Sequence, residues 1–176
     1  MRLTLAQTVA EQIDKFNHSL CRLVSWFTLF MALVTFAVVV LRYGFNLGWI
    51  AMQESVMYLH AALFLIGAAH TLSADEHVRV DVFYRQYSEK RKALTNLLGT
   101  LLLLLPVNVF ILVMSWDYVA TSWSLLEASP ESGGLPLVFI LKSLIPTFAV
   151  LMILQGFTQA TKALITLFVE SEQAVN

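Results

Sequence analysis

Four stretches without a charged residue dictate what this 176-residue chain can become. They cover residues 23–41, 55–74, 93–116 and 143–161, with lengths of 19, 20, 24 and 19 residues. A helix rising about 1.5 Å per residue needs about 20 apolar residues to cross a hydrocarbon core of roughly 30 Å, so each stretch just spans. A helix also closes its backbone hydrogen bonds within itself, which hydrocarbon demands. The predicted fold class is an all-α membrane protein with four transmembrane helices. The chain is 58% hydrophobic and 13% charged, and its connections are too short to hold a soluble catalytic domain. A net charge of −1 supplies no concentrated basic surface, so no nucleic-acid partner is expected. With Cys21 as the single cysteine, neither an internal disulfide nor a thiolate metal cluster can form. No small-residue cleavage site follows the first apolar stretch, which reads as a retained span rather than a signal peptide.

Basic residues sort by loop. Arg2, Lys15 and Arg22 precede the first span, and Arg79, Arg85, Lys90, Arg91 and Lys92 lie between the second and third. Lys162 follows the fourth, and only Arg42 and Lys142 fall on the other side. The positive-inside rule predicts that both termini and the second loop are cytoplasmic. Glu54, Asp117, Glu127 and Glu131 make the outer side acidic, and Trp49, Trp116 and Trp123 mark an aromatic belt there.

Residues 1–20 carry Val9, Ile13, Phe16 and Leu20 at helical spacing, with Glu11, Gln12, Asp14 and Lys15 on other faces. This predicts an N-terminal amphipathic helix on the cytoplasmic surface. The expected layout is that helix over 1–20, a four-helix transmembrane domain over 21–168 and a polar tail over 169–176. Gly44, Asn46 and Gly48 predict a tight turn after the first span. Val78, Val80 and Val82 alternate with His77, Arg79 and Asp81, which suits a short extended piece that fixes the exit of the second span. Ser88 is placed to start the third helix. Pro130, Gly133, Gly134 and Pro136 predict an irregular outer loop. The fourth helix is expected from near Pro136 to beyond Phe168, with Lys142 reaching the outer interface. Pro106 and Pro146 predict kinks.

No Asp or Glu lies well inside a span, whereas ion-coupled transporters keep such residues there as relays and ligands. Glu54 is nearest, at the outer start of the second span, sharing a helical face with Tyr58. It reads as an interfacial residue beside Trp49, either paired with Arg42 or hydrogen-bonded at a helix N-terminus, where the dipole favours an anion. His60 and His70 lie about 15 Å apart along one helix, and the other spans hold no histidine, so facing haem ligands are not supplied. Both read as histidines hydrogen-bonded within a helical interface. Small residues in the second span, with Gly156 and Ala160 in the fourth, fit either internal packing or a seam for another subunit. A membrane subunit without its own active site, not an enzyme, is the expected class. A stand-alone four-helix channel or exporter is the alternative, which needs more polar pore lining than Asn96, Asn108, Gln155 and scattered Ser and Thr provide.

The stretch Arg42-Tyr43-Gly44-Phe45-Asn46 followed by Trp49 and Glu54 has a family resemblance. So does the run from Tyr58-Leu59-His60 through Gly67-Ala68-Ala69 to His77-Val78-Arg79-Val80-Asp81-Val82-Phe83. Together they resemble the small membrane subunit (the Q subunit) of tripartite ATP-independent periplasmic, or TRAP, transporters, across nearly the whole chain. One departure is Gln53 before Glu54, where many family members carry two acidic residues. The resemblance implies a bacterial inner-membrane protein that scaffolds a large, elevator-type membrane subunit. Sodium-driven uptake of an organic acid or similar solute would then use a periplasmic substrate-binding protein. It implies no cofactor on this chain, with sodium on the large subunit, and membrane lipids around the rest. Arg42, Trp49, Glu54, Tyr58, His60, His77, Arg79 and Asp81 are the residues expected to matter for structure or partner contact. Asp117, Glu127 and Glu131 are expected to help dock the binding protein.

Overall fold

The computed structural model describes residues 2–74, 84 and 86–173, and all regular structure among them is helical. Helix α1 runs Arg2–Gly44, α2 Ile50–Ser73, α3 Glu89–Ser124 and α4 Val138–Gln173. Each is long and apolar enough to cross a membrane. The helices alternate in direction. The α1–α2 and α3–α4 connections therefore share one end of the bundle, the loop end, and the chain termini mark the other, the terminal end. Helices α1, α2 and α4 pack on one another, and α3 lies against α4. Ala69, Leu72, Leu151 and Met152 form the small buried core between α2 and α4. Most large apolar side chains point outward, Phe36 and Phe64 at 69% and 71% exposure among them. That is the arrangement expected where the solvent is lipid.

Helix α1 departs from the expected layout. Residues 2–20 continue without a break into the first span, as one 43-residue helix. Nothing interrupts it, because no Gly or Pro occurs before Gly44. Its packed face also differs from the amphipathic face read from the sequence. Of the expected face, Val9 and Phe16 are exposed while Ile13 and Leu20 are half-buried, Leu20 against the core; Ala10, Asn17 and Val24, spaced seven apart, are buried. This seven-residue seam continues the packing face of the span itself, so the N-terminal segment extends the bundle. The helix stops where Asn46 adopts φ 56° and the Leu47 N–H donates to the Leu41 carbonyl at 2.9 Å.

Helix α3 starts behind Ser88, whose hydroxyl accepts from the Arg91 N–H. It widens into a π turn over Thr100–Leu104, two residues before Pro106. Pro106 has no N–H to give, and the altered register absorbs the lost bond. Leu104 and Leu105 thereby press onto Gly156 of α4, where an added Cβ would lie 2.7 Å from Leu104 Cδ2. Gly67 of α2 likewise faces Cys21 of α1. These small residues of α2 and α4 thus serve packing inside the chain.

Candidate functional site

The loop end is closed by a clasp built on Glu54. The α3–α4 loop folds over the first turns of α2, and the Ala51 N–H donates to the Gly133 carbonyl at 3.2 Å. Glu54 lies one turn further on. Its Oε1 accepts from the Ser129 hydroxyl at 2.5 Å and its Oε2 from the Leu135 N–H at 2.6 Å. One carboxylate thus ties α2 to both limbs of the loop. Gly134 allows this approach, because an added Cβ would stand 2.5 Å from Ser129 Oγ and 2.9 Å from Glu54 Oε1. Arg42 is exposed and does not pair with Glu54, contrary to the expected ion pair, because the loop reaches the carboxylate first.

A second carboxylate braces the same loop from the α3–α4 side. Glu127 Oε2 accepts from Lys142 Nζ at 2.5 Å and from the Ser122 hydroxyl at 2.6 Å. Lys142 Nζ stands 4.0 Å from the centre of the Tyr118 ring, so a cation–π contact holds it as well. The Lys142 ammonium and the Ser122 hydroxyl hold the Glu127 carboxyl below the usual carboxylate range. Leu126, the residue before it, adopts φ 44°, a left-handed conformation that a bulky side chain rarely takes. The Trp123 indole N–H donates to Ser143 Oγ at 2.8 Å and stacks edge-on with Phe139.

The terminal end has its own polar lock, which no sequence motif announced. Asp14 of α1 accepts from Ser73 of α2 at 2.8 Å, from Gln155 Nε2 of α4 at 2.9 Å and from Lys162 of α4 at 2.6 Å. Gln155 Oε1 in turn accepts from Asn17 Nδ2 at 2.8 Å. Asn17 and Gln155 are each 1% exposed. Three helices are therefore fixed in register by one network. The signal available beforehand was weak: an amide in each of two helical segments, with Asn17 seven residues before Val24 on the packed seam.

The remaining expected residues scatter. Trp49 precedes α2 in extended conformation and is exposed, as are Trp116 and Trp123 at the same end. Tyr58 lies one turn below Glu54, its hydroxyl buried without a hydrogen-bond partner among the described residues. His70 is half-buried against His18, with ring centres 4.9 Å apart. Its expected hydrogen bond is absent at Nδ1, which is buried and has no partner among the described residues. His60 instead faces outward. His77, Arg79 and Asp81 lie outside the described residues. Asp117 and Glu131 are exposed, whereas Glu127 is committed to Lys142.

No solved structure matches the chain. It is similar to the C4-dicarboxylate TRAP transporter small permease protein DctQ of Vibrio cholerae serotype O1 (strain ATCC 39315 / El Tor Inaba N16961). The two are 27% identical over 115 residues, which is 65% of this chain and 49% of that protein. The chain thus spans about half the length of the curated relative it matches. Residues 31–166, which include the Glu54 clasp, the Glu127–Lys142 pair and Gln155, match the family of tripartite ATP-independent periplasmic transporters, DctQ component. The chain, with four helices among its described residues long and apolar enough to cross a membrane, belongs to that family, a transporter component and not an enzyme.

Proposed function

We propose that the chain is the small permease subunit that braces the large membrane subunit of a TRAP transporter in a bacterial inner membrane. The observation that carries this reading is where its polar groups go. Glu54, Glu127 and Asp14 are all engaged by partners within the chain, while the outer faces present large apolar side chains. A brace needs anchored ends, a packing face and a lipid-facing surface, and no ion ligands of its own. On this reading sodium and substrate bind the large subunit, which moves as an elevator. A periplasmic binding protein delivers an organic acid, the class suggested by the similar C4-dicarboxylate permease. The sorting of Lys and Arg toward the terminal end supports cytoplasmic termini. The loop end then meets the binding protein, with Asp117 and Glu131 exposed to steer it.

Reconstitution tests the proposal. The chain is co-expressed with the large subunit, purified through a tag on the small one, and placed in liposomes under a sodium gradient with binding protein and organic acid. The large subunit is expected to co-purify, and uptake is expected only from the complete set. Uptake by this chain without the large subunit would refute the bracing role.

A further inference from the structure

His60 occupies an unusual place. It is the eleventh residue of the 24-residue α2. At about 1.5 Å per residue it lies roughly 15 Å along the helix, near the middle of a hydrocarbon core of about 30 Å. Its side chain is exposed. Its ring centre is 6.0 Å from that of Phe64, one turn on, and no described residue hydrogen-bonds either ring nitrogen. Gln53, Met57, His60 and Phe64 are all exposed and form one stripe along α2. The exposed face of α3 offers a contrast, being built of apolar residues such as Phe110 and Val113 toward its middle and Leu102 and Leu103 nearer the terminal end. That second face is what lipid tails require. The α2 stripe is not, because hydrocarbon offers an imidazole neither a donor nor an acceptor. Ionisable side chains at such depth face protein or a water-filled cavity.

We infer that the Gln53–Met57–His60–Phe64 face of α2 is the seam with the large subunit, covered by a transmembrane helix that presents a hydrogen-bonding group to His60. The group required is a hydroxyl, a side-chain amide or a freed backbone carbonyl. This assignment rests on the bracing role proposed above and adds which helix faces the partner. Lipid cannot be the cover, since its tails leave both ring nitrogens unpaired. A tripartite transporter component has a membrane partner by its nature, and the outward-turned polar group lies where that partner's span would pass.

Photo-crosslinking in native membranes tests the seam. Benzoyl-phenylalanine is introduced at Met57 or Phe64 in the full chain co-expressed with the large subunit, and at Val113 of α3 as the contrasting position. Irradiation is expected to yield an adduct with the large subunit from both α2 positions and none from Val113. Adducts between two copies of this chain, or large-subunit adducts from Val113 and not from α2, would overturn the assignment. His60→Leu supplies a second readout with opposite signs. In the isolated chain it should leave the melting temperature unchanged or raise it, because a polar group leaves lipid. In the complex it should lower it, with His60→Asn restoring part of the loss. An unchanged complex would count against the seam. If the wild-type large subunit failed to co-purify at all, the bracing role would fall first, and the two failures are thereby distinguished.

Discussion

Replacing Gln155 by Met tests whether the buried amide pair holds the bundle in register. The two side chains are similar in volume, so little cavity is created. The substitution removes the 2.8 Å bond from Asn17 and the 2.9 Å bond to Asp14. Asp14 keeps Ser73 and Lys162, so its loss is small. Asn17 is different: it is 1% exposed, and its Oδ1 already lacks a partner among the described residues. Leaving its amide N–H groups unpaired as well should cost about 1–3 kcal/mol. Interhelical hydrogen bonds in membrane proteins average about 0.6 kcal/mol, which favours the lower half of that range. The double variant Asn17→Val with Gln155→Met removes both polar groups, so its loss should be smaller than that of Gln155→Met alone. Coupling of about 1 kcal/mol is expected in the double-mutant cycle. The assay is equilibrium unfolding of the purified chain in mixed micelles, followed by tryptophan fluorescence. Additive losses, or a neutral Gln155→Met, would show that the pair is a bystander to packing.

Three further outcomes follow from the loop end. Gly134→Ala places a Cβ against Ser129 and Glu54 and should destabilise the clasp by about 1–3 kcal/mol, read as faster hydrogen exchange at the Leu135 amide. Gly48→Ala, in open space, is the control and should change nothing there. Glu127→Gln should remove a pH-dependent contribution. The folded carboxyl titrates below its ordinary value, so the wild-type advantage is full above about pH 5 and lost as pH falls below about 4.3, through the lowered folded value. A wild-type advantage that does not shrink as pH falls from about 5 would contradict the ion pair. Leu126→Gly relieves a left-handed leucine and should be neutral or stabilising by up to about 1 kcal/mol in thermal melts, and a clear loss would mean that side-chain contacts outweigh the backbone.

The sequence by itself determined the number of spans and their approximate limits, because hydrocarbon thickness and backbone hydrogen bonding leave a helix of about 20 apolar residues no alternative. It also determined the Ser88 start of α3 and the turn at Asn46, where local backbone chemistry decides. The Arg42–Gly44, Tyr58–His60 and Gly67–Ala69 segments carried enough of the family pattern to indicate a small transporter subunit. Only the tertiary structure decided which polar groups meet. Glu54 could have chosen Arg42, close in the chain, but takes Ser129 and Leu135, which lie far along it. Glu127 turned from a surface charge into a brace once Lys142 came alongside. Residues 2–20 looked amphipathic in isolation, yet the seam of the span runs straight through them and buries Asn17 instead of Phe16. Periodicity reports how one helix divides its own faces. It does not say which neighbour covers each face, and in a membrane, where apolar side chains are equally content against lipid, the few polar contacts settle that choice.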